Sequence, residues 1–386
     1  MNRSFTIINA RIVTPQTVLE GASLTIREGI ITAVGGDIDE SLPRFDGMNR
    51  ILLPGFIDMH SDAIEKEIEP RPGTLLPIDI AIVELDRKLP AAGITTMFHS
   101  LTFADKEFEI LRTMDMVDTI IHEIHRMKHH LLVRTKIHAR YEITCSKALS
   151  VLLDLIALEK VDMVSIMDHT PGQGQFTTEQ QFRDYYGPRF SNDQTYIRTI
   201  MEKRQELRQN VGLDNAETMA NACRKAHIPL ASHDDDTAEK IDFIHRCNAV
   251  ISEFPITTLA AAEARRLGLN VVVGSPNIVR GGSHNGNLRA EDLIRDGHAT
   301  MVCSDYIPST MLHAALGLYR RGTCTLPQIA TLFSSAAADA LSLSEITGRI
   351  QVGLAADLVL VDTAHSLSRV AACWCEGRKV YQTCLV

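Results

Sequence analysis

The chain has 386 residues, of which 45% are hydrophobic and 23% charged, and its formal net charge is −9. These values are typical of a soluble globular protein that is long enough for one barrel of about 250 residues plus a small second unit. The negative charge argues against nucleic acids and membrane surfaces as general partners, but not against an anionic small molecule in a local basic pocket. The eight scattered cysteines indicate reduced thiols in a cytoplasmic protein.

Both ends of the chain consist of short apolar runs separated by Gly and Pro, a pattern typical of antiparallel strands. Strands are predicted at 5–13, 22–27, 30–34 and 356–362, and a hairpin at 374–381. Neither end alone can form a stable core. We therefore expect residues 1–53 and 345–386 to pair into one composite β-sandwich domain.

Between these ends, apolar runs alternate with helical stretches, as in a parallel barrel. Strands are predicted to end near His60, His99, Glu142, His169, His233, Pro255, Ser275 and Asp305. The fold class is therefore α/β, a (β/α)8 TIM barrel over residues 54–344 inserted in the β-sandwich. The polar insertion 171–210, which contains Arg183 and Arg189, is predicted to be a long loop and a candidate lid.

Acidic and imidazole residues occupy the predicted ends of several barrel strands. The candidate metal ligands are His60, Asp62, Glu142, His169, His233 and Asp305. Strand ends of a barrel converge on one face, where such side chains can satisfy one another by holding divalent metal. Imidazole with carboxylate suits zinc first, with manganese, iron and nickel left open. Two such ions would lower the pKa of a bridging water and yield hydroxide near neutral pH.

Plainer explanations exist for single residues of this set. Glu142 could instead form an ion pair with Arg140 or Arg134, and His169 could be a buried histidine bonded to the backbone. Of the acidic run 234–236, one residue is expected to support His233 and the others to be solvated.

A Gly-rich stretch after the seventh predicted strand offers a phosphate site. Its candidate substrate-binding residues are Asn277, Arg280, Gly281, Gly282, Ser283 and His284. Glycine amides can approach a phosphate closely, and the arginine adds a planar fork of donors. Loops at this position of a barrel commonly bind phosphate. Lys66 and Arg71 are expected to contact the other end of the substrate, whereas a flexible surface turn is the alternative for the Gly-rich stretch.

The segment Leu53-Pro54-Gly55-Phe56-Ile57-Asp58-Met59-His60 resembles the opening motif of the amidohydrolase superfamily, and residues 348–360 resemble its closing strand. Residues 60–72, 167–173, 231–235 and 276–284 resemble one branch of that superfamily, which serves the carbon–phosphorus lyase pathway. Most members have His-x-His after the first strand, whereas this chain has His60-Ser61-Asp62, as the branch does.

The resemblance implies a metal-dependent hydrolase of phosphoric anhydrides that converts α-D-ribose 1-methylphosphonate 5-triphosphate to the 5-phosphate plus diphosphate in phosphonate catabolism. It also implies two divalent metal ions, with Glu142 as a bridging carboxylate and Asp305 as both ligand and catalytic proton shuttle. A C–N hydrolase of the cyclic amidase or dihydroorotase type is the alternative, because a fold does not decide a reaction. A catalytically inactive scaffold is a third interpretation. The expected partner is a small polyphosphate sugar, and a homo-oligomer stays open.

Overall fold

The computed structural model describes residues 3–36, 39–104, 109–172, 174, 178–187, 193–282, 288–364 and 367–383. Three residues of the predicted binding regions, Arg189, Ser283 and His284, lie outside this range. Among the described residues, no helix combines the length and the apolar character needed to cross a bilayer.

Strands and helices are numbered in chain order. The strands are β1 (Phe5–Val13), β2 (Val18–Arg27), β3 (Ile30–Val34), β4 (Arg44–Asp46), β5 (Ile51–Pro54), β6 (Phe56–Ser61), β7 (Ile94–Phe103), β8 (Arg134–Glu142), β9 (Met163–Met167), β10 (Leu230–His233), β11 (Ile251–Glu253), β12 (Asn270–Gly274), β13 (Met301–Cys303), β14 (Leu358–Asp362), β15 (Arg369–Cys375) and β16 (Arg378–Gln382). The α-helices are α1 (Ala63–Ile68), α2 (Ile78–Lys88), α3 (Met114–Met127), α4 (Ser146–Ala157), α5 (Glu179–Tyr186), α6 (Gln194–Leu207), α7 (Leu213–Ala226), α8 (Ala238–Arg246), α9 (Thr258–Arg266), α10 (Ser275–Arg280), α11 (Ala290–Arg295), α12 (Thr310–Arg320), α13 (Leu326–Ala330) and α14 (Ala336–Ala340).

The chain divides into two compact units. Unit 1 comprises Met1–His99, Glu123–Lys136 and Val273–Val386, and unit 2 comprises Ser100–His122 and Ile137–Val272. Unit 1 contains both chain ends and the first and last barrel strands. Unit 2 contains the strands β9, β10 and β11 and the helices that follow them.

One sheet combines the two ends of the chain, in the order β16-β15-β14-β5-β1-β2-β3, with β4 paired to β1. Strand β14 pairs antiparallel with β5, which joins the C-terminal strands to the N-terminal ones. Trp374 is buried in this region, stacked on Phe5 at 5.8 Å and edge-on to Phe45 at 5.0 Å between ring centroids. The prediction that both chain ends build one separate β-structure is confirmed, whereas boundaries at 53 and 345 stay a prediction.

The second sheet has the order β13-β12-β11-β10-β9-β8-β7-β6, so each strand neighbours the next along the chain. Its register-resolved pairs are parallel, with helices between successive strands. This is the topology of a TIM barrel, and the prediction of eight such strands is confirmed. The strands end at Ser61, Phe103, Glu142, Met167, His233, Glu253, Gly274 and Cys303, close to the predicted positions.

Close packing explains why Gly55, between β5 and β6, is a glycine. A Cβ atom at this position would lie 2.1 Å from Thr95 Oγ1, which is far inside van der Waals contact. The Gly55 amide donates to the carbonyl of Asp357, and its carbonyl accepts the Ser334 hydroxyl. The absence of a side chain therefore lets the chain pass from the terminal sheet into the first barrel strand.

The insertion 171–210 is not the long loop that its polar composition predicts, because much of it forms α5 and α6. Thr178 caps α5 through a reciprocal capping box with Gln181. The two helices share a small buried cluster made of Phe182, Ile197 and Met201. Enough apolar side chains therefore recur at helical spacing for the segment to fold within unit 2.

Candidate metal centre

In unit 1, backbone hydrogen bonds hold three predicted ligands together. The amide of Asp305 donates to the carbonyl of His60 at 3.0 Å, and the amide of Asp62 donates to the carbonyl of Asp305 at 2.8 Å. Asp305 has a φ of +60°, a left-handed conformation that non-glycine residues seldom adopt. The chain therefore turns sharply after β13 and brings Asp305 next to the end of β6.

Asp58 and Ser304 fasten the same two strand ends. Asp58 is fully buried and accepts the backbone amide of Ser304 at 2.9 Å, while the Ser304 hydroxyl donates to Ser61 Oγ at 2.7 Å. Burial raises the pKa of Asp58 to about 7, although the hydrogen bonds from Ser304 act in the opposite direction. We conclude that Asp58 supports the ligand-bearing strand ends.

In unit 2, the side chains of Glu142 and His169 are in direct contact. His169 Nδ1 lies 2.7 Å from Glu142 Oε2, and the His169 amide donates to Oε1 at 3.3 Å. Burial alone would raise the pKa of Glu142, but the hydrogen bond and charge of His169 outweigh it and lower the pKa to about 2. The carboxylate is therefore ionised at neutral pH, as a metal ligand must be.

The two arginines that could have paired with Glu142 bond elsewhere. Arg134 forms ion pairs with Asp357 at 2.8 Å and Glu376 at 3.0 Å within unit 1. Arg140 donates to His233 in unit 2. The alternative explanation of Glu142 as their ion-pair partner is therefore wrong, and its partner is the imidazole of His169.

Both ring nitrogens of His233 have partners in this structure. Arg140 Nη2 lies 3.3 Å from His233 Nε2, and a guanidinium only donates, so Nε2 accepts. His233 Nδ1 lies 3.1 Å from Asp234 Oδ2. One ligand atom each of His169, His233 and Asp234 lies within 4.8 Å of the other two.

The conformation of Asp234 directs its carboxylate towards this group. Its φ is +53°, its amide donates to the carbonyl of Glu253 at 2.9 Å, and its carbonyl accepts Lys240 Nζ at 3.1 Å. Burial acts to raise the pKa of Asp234, but the charge and hydrogen bond of His233 and the charges of His169 and Lys240 outweigh it and lower the pKa. Asp234 is therefore an ionised carboxylate beside two imidazoles.

The acidic run predicts solvated side chains, but Asp235 is buried and Asp236 is half-buried. Asp235 is fully buried and accepts the hydroxyls of Ser232 and Ser252, each at 2.5 Å. Asp236 accepts the backbone amide of Gly174 at 3.0 Å. Both residues therefore fix the loop after β10, and the buried charge of Asp235 requires such partners.

The donor set in unit 2 fits a divalent ion. Two imidazoles and two ionised carboxylates, from His169, His233, Glu142 and Asp234, supply the nitrogen and oxygen ligands that zinc and related ions prefer. Sequence reasoning assigned three of them and left Asp234 as one of three acidic candidates. In unit 1, His60, Asp62 and Asp305 are residues of the same ligand types, and backbone hydrogen bonds make them neighbours.

Glu253 is a further buried carboxylate that sequence reasoning did not consider. It ends β11 and is fully buried, with Oε1 at 3.7 Å from His138 Nε2. The other His138 nitrogen lies 3.0 Å from the Ser100 hydroxyl. The signal was present in the sequence, because Glu253 also follows an apolar run at the end of a predicted strand.

The described part of the Gly-rich stretch forms the end of α10. Gly281 adopts a left-handed φ of +76°, and the amides of Gly281 and Gly282 both donate to the carbonyl of Asn277. The Asn277 side chain bonds the Leu288 carbonyl and the Ala290 amide. The two amides expected to face phosphate are thus engaged in capping the helix, whereas Arg280 is exposed.

Lys66 and Arg71 lie beyond the first ligand pair, as their sequence positions require. Lys66 is exposed in the last turn of α1, with Nζ at 4.2 Å from the ring centroid of Tyr306. Tyr306 directly follows Asp305, so Lys66 is near the end of β13 within unit 1. Arg71 is exposed in a turn closed by a hydrogen bond from the Thr74 amide to its carbonyl.

The sequence of the chain is similar to that of a diphosphatase over nearly its whole length. It is 34% identical over 384 residues to the alpha-D-ribose 1-methylphosphonate 5-triphosphate diphosphatase of Escherichia coli (strain K12), which covers 97% of this chain and 100% of that protein. The chain belongs to the family of that diphosphatase. It is therefore a hydrolase, and the resemblance seen in its motifs is confirmed.

Solved structures share the fold at low sequence identity. An amidohydrolase from an environmental sample of the Sargasso Sea has a TM-score of 0.65 and 13% identity, over 98% of this chain and 93% of that one. The dihydropyrimidinase of Brevibacillus agri NCHU1002 has a TM-score of 0.62 and 13% identity, over 98% and 95%. No family model matches the sequence. These structures confirm the fold of this hydrolase.

Proposed function

We propose that this hydrolase is a metal-dependent triphosphate diphosphohydrolase that converts α-D-ribose 1-methylphosphonate 5-triphosphate to the 5-phosphate and diphosphate. The observation that carries the proposal is the 34% identity to a diphosphatase with this substrate in its name, along 97% of this chain and 100% of that protein. The gathering of imidazoles with ionised carboxylates in unit 2 supports it, because anhydride hydrolysis needs an activated water.

The proposed centre holds two divalent ions, with zinc as the first choice. The proposed ligands are His60, Asp62, Glu142, His169, His233 and Asp305, to which the geometry in unit 2 adds Asp234. When bound, the ions would lower the pKa of a water and neutralise charge on the phosphates. Glu142 supports this role because it is ionised well below neutral pH.

In the proposed reaction, one anhydride P–O bond breaks and one bond forms between phosphorus and the water oxygen. The attacking water loses a proton, and we assign the carboxylate of Asp305 to accept it. The sharp turn at Asp305 supports this assignment, because it places the residue beside the predicted ligands His60 and Asp62. The proton can then pass to the leaving diphosphate.

Diphosphate release from the ribose 5-triphosphate should be measured with purified protein reconstituted with zinc, manganese, iron or nickel. A sample treated with a chelator is the matched control, and hydantoin and dihydroorotate are the competing substrates. The proposal expects diphosphate release that requires metal and negligible opening of either ring. Ring opening without diphosphate release would refute it and favour the C–N hydrolase.

A further inference from the structure

Strand β8 carries three polar side chains at alternating positions, His138, Arg140 and Glu142, which therefore share one face of the strand. His138 contacts the hydroxyls of Ser100 and Ser165, and Glu142 contacts His169. Arg140 lies between them in sequence and reaches His233 Nε2 at 3.3 Å. Its guanidinium is therefore adjacent to a proposed metal ligand and on the same strand face as another.

The positive charge of Arg140 has no carboxylate partner among the described residues. The hydrogen bond found for its side chain goes to the imidazole of His233. Its Nε atom is buried without a hydrogen-bond partner in the described part of the chain. A guanidinium stays protonated and has five N–H donors, so one bond to an imidazole leaves most of these donors without a partner. Arg140 is half-buried, so an anion that enters beside it could use the donors that the protein leaves open.

Other arginines near the same ligands are already engaged. Arg208 Nε lies 2.6 Å from Asp168 Oδ2, and Arg204 donates to the carbonyl of His169 while it stacks on Phe182 at 5.4 Å. Arg204 and Arg208 therefore both have hydrogen-bond partners within unit 2. Arg140 differs from them because its neighbours leave donors for a ligand.

We propose that Arg140 is a substrate-binding residue that donates to phosphate oxygens of the anhydride to be cleaved. A planar guanidinium matches phosphate through two parallel hydrogen bonds, and a triphosphate carries several negative charges to neutralise. Cyclic amides place no such charge at the scissile bond, so Arg140 selects polyphosphate esters. This inference deepens the proposed function and rests on it for the identity of the substrate.

The test compares Arg140→Gln and Arg140→Lys with Arg266→Gln, which removes an exposed arginine of unit 2 that pairs with Glu263. Inorganic tripolyphosphate serves as the probe, and its affinity is measured by calorimetry and by the rise in Tm that it causes. Metal content is measured by plasma mass spectrometry on the same samples. We expect Arg140→Gln to keep its metal, to bind the probe about 10- to 100-fold more weakly and to lose the rise in Tm.

Arg140→Lys should recover little of the affinity, because a point charge lacks the fork, and Arg266→Gln should behave as the parent. Loss of metal in step with the loss of affinity would overturn the inference, because Arg140 would then only position His233. Parent-like binding of the probe by both variants would also overturn it. If the parent binds the probe through Arg140 but releases no diphosphate from the ribose triphosphate, the inference holds and the proposed function fails.

Discussion

The backbone amide of Asp305 donates to the carbonyl oxygen of His60, at 3.0 Å. Through this bond and the reciprocal one from the amide of Asp62, the last barrel strand meets the first within unit 1. Both bonds use main-chain atoms, so they persist when the side chains are replaced. A conservative substitution of Asp305 therefore tests its chemistry while both bonds remain.

We predict that Asp305→Asn folds as the parent does and loses turnover by several powers of ten. Asparagine tolerates the left-handed backbone that Asp305 adopts, but it accepts no proton and is a poorer metal ligand. Circular dichroism and the rate of diphosphate release measure the two effects. Near-parent turnover at unchanged metal content would show that another residue accepts the proton.

We predict that Glu142→Gln removes an acid-dependent part of the stability of the metal-free protein. The pKa of Glu142 is lowered from 4.5 to about 2, by His169 against the effect of burial. A lowered pKa stabilises the folded state above the unfolded value, and the contribution is lost as the pH falls through the folded value. Urea unfolding between pH 6 and about pH 2 should show a steeper loss in the parent than in Glu142→Gln. If the free energy of unfolding fell equally with pH in both proteins, the lowered pKa of Glu142 would be contradicted.

We predict that Asp234→Asn weakens metal binding by about 10- to 100-fold, a loss typical of changes at or next to a ligand. The carboxylate of Asp234 lies 3.1 Å from His233 Nδ1 and near His169, so its negative charge favours an ion there. Asp236→Asn is the control, because that residue bonds the Gly174 amide. Competition with a fluorescent chelator measures the affinities. Equal losses in both variants would indicate a disturbed loop rather than a lost ligand.

The sequence predicted the barrel well because apolar runs that end in His, Asp or Glu are a local signal. The strand ends at Glu142 and His233 fall where they were predicted. Contacts that depend on distant residues were not predictable in this way. Asp235 is satisfied by hydroxyls of two strands, Ser232 and Ser252, so one residue of an acidic run that looked solvated is in fact buried.

Two local signals of helix ends were present in the sequence but were interpreted as other features. The capping box between Thr178 and Gln181 marks the start of α5, although the polar composition of the insertion suggested a loop. Gly281 was interpreted as a phosphate contact, with a flexible surface turn as the alternative, whereas it ends α10 in the left-handed conformation. In both cases helix-end chemistry explains the residues better than overall composition does.

The last prediction concerns Arg280, which remains the exposed charge of the Gly-rich stretch. We expect Arg280→Ala to lower kcat/KM for the triphosphate by about 10- to 100-fold at unchanged metal content, since charge-assisted hydrogen bonds contribute about 1.5–3 kcal/mol each. Arg280→Lys should recover little, because lysine lacks the planar fork. Arg295→Ala, an exposed arginine in α11 paired with Asp292, is the matched control. Because the amides of Gly281 and Gly282 cap α10, we expect the side chain of Arg280 to supply the contact of this stretch with the substrate phosphates. If both Arg280 variants kept the kcat/KM of the parent, the Gly-rich stretch would only end α10, and other residues would bind the phosphates.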